Sequence, residues 1–313
     1  MYYVYPNMSN CKIKNQMKLI TIISFILLLL QLFISGCNSE TDKLQVVTFN
    51  IRLDLQSDGV NRWDNRVPLV KTYFKQQSPD IIGMQEVLHN QLLDLTEILP
   101  EYDFVGTGRD DGSTGGEYSP IFYRKDRFEL LNNSQFWLSQ TPDIPGSIGW
   151  DASFTRIVTW AELKDKKSKN RIFVFNTHFD HRGIEAREKS IELMSAMMAE
   201  ISDDAPLIAL GDFNIRKNHP SLGSDLYYNL MEVFENNNSL QNSEYIAENP
   251  VISGGATNNG FSKDWRERPP YAIDYIFVNN HFNVIEYRVD HVKEGEVFIS
   301  DHWPVVSKIS YSR

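Results

Sequence analysis

Short polar stretches carrying acid, amide or imidazole side chains follow apolar stretches at several points of this 313-residue sequence. The segment PLIALGDFN at 206–214 shows the pattern, because an apolar run ends on Asp212 and Asn214 follows two residues later. Side chains two residues apart on an extended chain lie on the same face. Asp212 and Asn214 could therefore act together on one bound group.

Five other segments carry side chains of the same kind. They contain Asn50 in TFN, Glu86 in MQE, His178 in NTHFDH, Asp274 in IDYIFV, and Asp301 with His302 in SDHWPV. Alone, a strand-end Asn is commonly a turn residue, and a His among aromatic residues is commonly structural. Asp274 needs a partner in either case, because a carboxylate within an apolar strand is costly unless it is hydrogen-bonded. Six segments restricted to these residue types favour one shared site over unrelated turns.

The residue types indicate a hydrolysis assisted by a divalent cation. Glu86, Asp301 and Asn50 offer hard oxygen ligands, which suit Mg²⁺, Mn²⁺ or Ca²⁺ better than zinc. The histidines can move protons, and Asp274 could fix the tautomer of His302. No Ser, Cys or Lys stands out as a covalent nucleophile. Attack of water on a phosphate ester is the simplest reaction for this set.

The charge balance does not indicate a general nucleic-acid binder. The formal net charge is −10, and a product that begins at Cys37 loses three lysines and no acidic residue, which makes it −13. Strong nonspecific attachment to a nucleic-acid backbone needs a basic surface. A nuclease is not excluded, since a bound divalent cation changes the local field.

The N-terminal region 1–36 is interpreted as a signal peptide region, with Met17 as the natural start. Lys18 precedes an apolar run of sixteen residues, 19–34, which is shorter than the ~20 residues of a membrane span and fits a signal-peptide core. The stretch ISGC resembles the bacterial lipoprotein box, so we expect cleavage before Cys37 and lipidation of that cysteine. An uncleaved anchor helix and a plain secretory signal are the alternatives. The expected location is the cell envelope, on the outer membrane, facing the periplasm or the exterior.

The rest of the chain is expected to contain a linker, 37–43, and a single catalytic domain, 44–313. Strands are predicted at 44–50, 80–86, 119–124, 156–163, 171–179, 206–214, 271–278 and 302–309, and helices at 66–77, 88–98 and 184–201. Several strands alternate with period two, and the third helix has apolar residues at helical spacing. This pattern favours two packed sheets covered by helices.

The ordered motifs TFN, MQE, NTHFDH, GDFN, IDYIFV and SDHWPV resemble the endonuclease/exonuclease/phosphatase superfamily of DNase I-like hydrolases, from about Leu44 to Ile309. The resemblance implies an α/β fold, a four-layer α/β/β/α sandwich of two mostly antiparallel sheets flanked by helices. It implies a phosphodiesterase or phosphomonoesterase that uses Mg²⁺ or Mn²⁺. We also expect a monomer, tethered to the membrane by its N-terminal lipid.

The resemblance also implies a role for each motif residue. The expected metal ligands are Asn50, Glu86 and Asp301, and the expected catalytic residues are His178, Asp212, Asn214, Asp274 and His302. Asp274 would orient His302 near the scissile phosphate, while Asp212 and Asn214 would orient the water and stabilise the pentacovalent phosphate. The resemblance leaves open whether Asp212 or His302 takes the proton.

Two further residues are candidates with a structural alternative. Glu117 resembles the acid that supports the second histidine in DNase-like members, and a surface glutamate is the alternative. Arg156 could reach a phosphate oxygen as a forked donor, and a structural ion pair is the alternative. Asp180 and His181 either support the site or form an exposed turn. The loop 253–268, with Trp63 and Trp265, is expected to shape the cleft.

Three functions are compatible with the sequence. The first is hydrolysis of small phosphate esters or phospholipid head groups at the cell envelope. The second is an envelope endonuclease or exonuclease, for which basic residues must converge beside the cleft; the candidates are Arg109, Arg124, Arg156, Arg266 and Arg268. The third is a non-catalytic binding protein on the same scaffold, which the complete set of motif residues disfavours.

Overall fold

The computed structural model describes residues 1–2, 43–217, 224–250, 255–267 and 271–312. The expected signal peptide and Cys37 lie outside these residues. Lys43–Arg313 forms one compact unit. Among the described residues, no helix has both the length and the apolar character that a membrane crossing requires.

Strands and short helices alternate along the described chain. The strands are β1 (Lys43–Asn50), β2 (Ile81–Gln85), β3 (Tyr102–Val105), β4 (Ile121–Arg124), β5 (Phe128–Trp137), β6 (Ile157–Asp165), β7 (Arg171–His178), β8 (Leu207–Asp212), β9 (Gln241–Asn242), β10 (Asn249–Pro250), β11 (Asp274–Val278), β12 (Phe282–Val289), β13 (Lys293–Glu294), β14 (Val297–Phe298) and β15 (Val305–Tyr311). The α-helices are α1 (Trp63–Gln77), α2 (His89–Ile98), α3 (Ile184–Ser202), α4 (Ser224–Asn238) and α5 (Ser243–Ile246).

Two sheets stack face to face and carry helices on their outer faces. The first sheet has the order β10-β12-β15-β1-β2-β4-β3, and the second has the order β5-β6-β7-β8-β11-β9. Most neighbours are antiparallel, but three pairs are parallel: β1 with β2, β7 with β8, and β10 with β12. Helices α1 and α2 pack on the first sheet, whereas α3 and α4 pack on the second. The predicted four-layer sandwich is confirmed.

Strand β7 explains how the two hydrophobic layers arise from one sequence. Ile172 and Val174 belong to the core between the sheets, whereas Phe173 and Phe175 belong to the core under the helices. This is the period-two alternation of a strand that is buried on both faces. His178 ends the strand on the same face as Ile172 and Val174, so its imidazole continues the layer between the sheets.

A glycine and an asparagine bring the sheets together behind this end. A Cβ on Gly83 of β2 would lie 1.9 Å from Cδ1 of Leu210 in the opposite sheet. Asn176 donates from Nδ2 to the carbonyl of Met84 (2.7 Å), and its Oδ1 accepts from Nε2 of Gln85 (2.7 Å). All three groups are buried, so the hydrogen bonds satisfy polar atoms that water does not reach.

Several elements differ from their predicted bounds. Helix α1 begins at Trp63, three residues earlier than expected, so Pro68 lies inside the helix and not in its first turn. The strand predicted at 271–278 begins only at Asp274. Within the described part of the chain, seven strands, β3, β5, β9, β10, β12, β13 and β14, and the helices α4 and α5 were not predicted at all.

Gly83→Ala should lower the free energy of unfolding by about 1–3 kcal/mol, because the added methyl group overpacks the core against Leu210. Urea unfolding measures this change. In the Leu210→Ala background the same substitution should cost less, since the clashing atom is gone. Equal costs in both backgrounds would contradict a close contact between the sheets at this point.

Candidate active site

Three polar residues lie side by side at one end of the second sheet. His178 pairs in register with Asp212 across parallel strands β7 and β8, and Asp212 pairs with Asp274 across antiparallel strands β8 and β11. Adjacent strands are ~4.8 Å apart. The register therefore places an imidazole and two carboxylates in a row, on the face that looks toward the first sheet.

The first sheet supplies the opposing groups. Asn50 ends β1 opposite Gln85, and Glu86 follows with a left-handed backbone (φ 60°). Asn50 donates from Nδ2 to Oε1 of Glu86 and to Oδ2 of Asp212, both at 3.0 Å. The backbone N–H of Leu53 donates to the other oxygen of Glu86 at 3.1 Å. The amide of Asn50 thus connects an acid of each sheet.

The carboxylate of Asp212 is the point where these groups converge. Its Oδ2 lies 3.6 Å from Nε2 of His178 and 3.8 Å from Nε2 of His302. The side chain is buried, and burial together with the charge of Asp274 raises the pKa of Asp212. An acid with a raised pKa between two imidazoles is suited to proton transfer.

His302 and Asp274 form a buried ion pair. Nδ1 of His302 lies 2.9 Å from Oδ2 and 3.1 Å from Oδ1 of Asp274. Although burial lowers the pKa of His302, the charges of Asp274 and Asp212 outweigh it and hold that pKa well above its ordinary value. Nε2 of the ring lies 2.9 Å from Nδ2 of Asn258, which can donate to it only while Nε2 carries no proton. The ring is therefore held by Asp274 in both protonation states and by Asn258 only when it is neutral.

His178 has a different environment. Burial and the nearby positive charge of Arg156 lower the pKa of His178 to about 3, so its ring is neutral at physiological pH. Its Nδ1 is buried without a hydrogen-bond partner. Glu117, the partner expected from the sequence, has Oε2 at 3.7 Å from this nitrogen but only 2.6 Å from Nη1 of Arg109. The direct partner of Glu117 is therefore Arg109.

Asn214 holds the turn that follows β8. Its backbone is left-handed (φ 51°), and its N–H donates to Oδ1 of Asp212 at 3.0 Å. The side-chain Nδ2 donates to the carbonyl of Phe179 at 3.1 Å. Asn214 therefore orients the Asp212 carboxylate and links the ends of β7 and β8, and it also lines the cleft.

Two groups of side chains could hold a cation. Nη1 of Arg52 lies 3.9 Å from Oε2 of Glu86 and 3.7 Å from Oδ2 of Asp301, so these two carboxylates already face one positive charge. Ligand atoms of Asp212, Asp274 and His302 also lie within 4.8 Å of one another and could share a metal ion. In the second group, Nδ1 of His302 is already at hydrogen-bond distance from Asp274. Carboxylates without cysteine suit a hard divalent cation.

One wall of the cleft carries an aromatic residue and an arginine. Arg156 is buried and contacts Asp180 through Nε (3.5 Å) and Nδ1 of His181 through Nη2 (3.2 Å), whereas its buried Nη1 has no partner. The ring of Phe154 is 44% exposed and stacks on His181 with centroids 5.8 Å apart. The arginine is thus ion-paired, lines the cleft and keeps one buried nitrogen without a partner.

Two aspartates attach this wall to the start of α3. Asp180 accepts hydrogen bonds from the backbone N–H of Phe154 (3.3 Å) and of Gly183 (2.8 Å). Asp151 accepts from the backbone of Ile184 at 3.0 Å. Since the first N–H groups of a helix have no partner within it, these acids both satisfy the helix and fix the loop. Asp180 supports the site and is not an exposed turn residue.

Arg66 organises the segments that carry the carboxylates, and sequence reasoning did not single it out. The fully buried guanidinium donates to the carbonyls of Ile51, of Asn61 (2.7 Å), of Arg52 (2.9 Å) and of Ile299 (3.3 Å). It therefore fixes the chain after β1 relative to the chain before Asp301. Arg66 ends the segment NRWDNR, 61–66, and nothing in that segment indicates these partners.

The expected contribution of the two tryptophans is wrong. Trp63 is buried and donates from its indole nitrogen to Asp94 (2.7 Å), and Trp265 packs edge-on against Trp303 in the core. Neither lines the cleft, because large apolar rings gain most from full burial. The loop 253–268 contributes Asn258 instead.

The assembled site is an open cleft of about 400 Å³. Its lining brings together nine of the residues singled out from the sequence, namely Glu86, Arg109, Glu117, Arg156, His178, His181, Asp212, Asn214 and His302. Asn50, Asp274 and Asp301 lie behind them through the contacts described above.

The sequence of residues 47–302 matches the model of the Endonuclease/Exonuclease/phosphatase family. This match covers most of the chain, and the chain therefore belongs to that family. Its members are phosphoester hydrolases that typically depend on a divalent metal ion, so the protein is an enzyme of the phosphoric ester hydrolase class.

Three similar proteins show how far the likeness extends in sequence and structure. An endonuclease/exonuclease/phosphatase from Bacteroides vulgatus is 39% identical with a TM-score of 0.79, covering 86% of this chain and 99% of that one. A mannosyl-6-phosphatase from Bacteroides thetaiotaomicron is 33% identical with a TM-score of 0.74, covering 86% and 100%. An uncharacterized protein of Acanthamoeba polyphaga mimivirus is 29% identical over 270 residues, covering 80% of this chain and 93% of its own length.

Asp274→Asn should lower the pKa of His302, because the negative charge that favours the imidazolium is removed. An NMR titration of the histidine resonances in EDTA measures this pKa in the metal-free protein. Asp64→Asn removes the same charge from a side chain that is 74% exposed and should leave the pKa of His302 unchanged. Equal effects of both variants would contradict the assigned ion pair.

Proposed function

We propose that the protein is a Mg²⁺-dependent hydrolase of small phosphate esters at the cell envelope, which acts by direct attack of activated water. The observation that carries the proposal is the convergence on Asp212 of both histidines and of the Asn50–Glu86 pair. Each of these groups comes from a different strand end, and no structural need brings them to one buried point. The residues that converge there include none that would act as a covalent nucleophile.

Glu86 and Asp301, with Asn50 beside them, would hold Mg²⁺ or Mn²⁺. The way in which both carboxylates face the Arg52 guanidinium supports this assignment, since it marks a place already suited to positive charge. When bound, the cation would neutralise charge on the phosphate oxygens. The remaining roles belong to side chains of this chain.

Asp212 would orient the attacking water, with Asn214 holding the turn that aims the carboxylate. The proton that the water releases would pass to Asp212, because the raised pKa of His302 leaves that ring already protonated; the facing atoms of the two groups are 3.8 Å apart. Asp274 keeps the His302 imidazolium in place beside Asp212. His178 would donate from Nε2 toward a phosphate oxygen, which its neutral state permits without adding charge.

Arg156 would bind a non-bridging oxygen of the phosphate. Its Nη1 is buried without a partner beside the cleft, while Nε and Nη2 are held by neighbouring side chains. A guanidinium fixed in this way loses little freedom on binding a phosphate. Arg109 is paired with Glu117 and would act through that acid.

A small ester fits the cleft better than a nucleic acid. A volume of about 400 Å³ is in the range of small-molecule sites. Of the five arginines that a nuclease was expected to gather beside the cleft, Arg109 and Arg156 line it. Arg124 pairs with Asp126 and Arg266 stacks on Trp265; neither of these two lines the cleft, and Arg268 is outside the described residues. The similarity to a mannosyl-6-phosphatase makes sugar 6-phosphates the first substrates to test, with phospholipid head groups next.

Hydrolysis of a sugar 6-phosphate and of bis(p-nitrophenyl) phosphate should require added Mg²⁺ or Mn²⁺ and should stop in excess EDTA. Asp212→Asn should reduce turnover by about 10²–10⁴-fold, because the group that handles the water and its proton is lost. Steady-state kinetics with saturating metal measure both effects.

The thermal transition of Asp212→Asn serves as the control, and it should remain close to that of the wild type. Full activity in EDTA would reject the metal role, whereas an equal loss of folding and turnover would reject the catalytic role of Asp212. Faster cleavage of DNA or RNA than of every small ester would favour the nuclease alternative.

We further propose that the mature protein is a monomer anchored by a lipid on Cys37. Wild-type protein should fractionate with the envelope, and Cys37→Ala should release it, because a single-residue change removes the acylated thiol. Cys11→Ala changes the other cysteine and should leave the distribution unchanged. Firm membrane attachment of the Cys37→Ala protein would contradict lipidation.

A further inference from the structure

Arg52 is held in a backbone conformation that arginine rarely adopts. Its φ is 59°, and a non-glycine residue keeps such a conformation only where its surroundings hold it. Here the carbonyl of Arg52 accepts from Arg66 and from Nε2 of Gln91, both at 2.9 Å, and its N–H donates to Oδ1 of Asn50 at 3.0 Å. Both polar groups of the backbone are therefore fixed, which determines the direction of the side chain.

The side chain is then aimed by a forked ion pair. Nε and Nη2 of Arg52 donate to the two carboxylate oxygens of Asp58 at 3.0 and 3.2 Å. This leaves Nη1 directed at Oε2 of Glu86 and Oδ2 of Asp301, at 3.9 and 3.7 Å. These distances exceed a hydrogen bond, so the guanidinium neutralises the two acids without being locked onto them.

A divalent cation bound at Glu86 and Asp301 would lie close to the positive charge of Arg52, and the repulsion between them costs free energy. The acids that face Arg52 are those proposed to hold the divalent cation, so this inference rests on the proposed metal site. Two like charges about 4 Å apart repel each other strongly at a partly exposed site. This repulsion is enough to weaken the binding of a cation by about fivefold or more. The Arg52 side chain is 26% exposed, so it has room to withdraw on the side of Asp58.

We propose that Arg52 is a built-in counterion of the metal site, which neutralises Glu86 and Asp301 in the metal-free enzyme and competes with the incoming cation. It thereby lowers the affinity of the site for metal. Without a positive charge, the two acids and the nearby Asp212 would repel one another in a half-buried cleft. Asp58 keeps the competing charge close by when it is displaced.

Isothermal titration of Mn²⁺ into the full-length chain in detergent tests this proposal. Arg52→Gln should bind Mn²⁺ at least about fivefold more tightly than the wild type, because the competing charge is absent. Arg52→Lys keeps the charge and should stay within about twofold of the wild type. Arg62→Gln removes a charge from an arginine that is 44% exposed and should also match the wild type.

Unchanged or weaker binding by Arg52→Gln would overturn the proposal. If this variant does not fold in EDTA, Arg52→Asn replaces it, since asparagine tolerates the left-handed backbone, and the same tightening is required. Glu86→Gln separates this result from the proposed function. Loss of Mn²⁺ binding in Glu86→Gln, with equal affinities for Arg52→Gln and the wild type, would leave the metal site standing and reject only the role of Arg52.

Discussion

The hydrogen bond from Asn50 to Asp212 joins the two sheets at the floor of the cleft, and the other reactive groups are placed around it. A carboxylate as buried as that of Asp212 needs a polar partner, and the first sheet provides one. The contact requires the sheets to approach closely at this end, which the absence of a side chain at Gly83 permits. The arrangement of the reactive groups and the packing of the core therefore depend on the same close contact between the two sheets.

The fold was predictable where strands are buried, and less so at the edges. Strand β7 alternates apolar residues toward two cores, and that pattern is visible in the sequence. Strand β5 exposes most of its central residues, so no apolar run marks it. In β12 the register shifts between Val284 and Glu286, which breaks the alternation that identifies a strand. Exposure at a sheet edge and a bulge thus account for these two of the missed strands.

The polar residues at the ends of the central strands could be predicted, because each follows an apolar strand pattern and carries an acid, amide or imidazole group. The residues that hold them could not. Arg66 acts through backbone carbonyls of segments more than 200 residues apart in sequence, and Asn258 reaches His302 from a separate loop. Such contacts leave no periodicity. Trp63 was assigned to the cleft, but it is buried in the core and does not line the cleft.

Because Asp151 and Asp180 attach the loop of Phe154 to the start of α3, the position of the Phe154 ring depends on the outer helical layer. The groups that make and break bonds are carried by the strands. A substitution at Phe154 would therefore change the shape of the cleft without displacing the strand ends that carry His178 and Asp212.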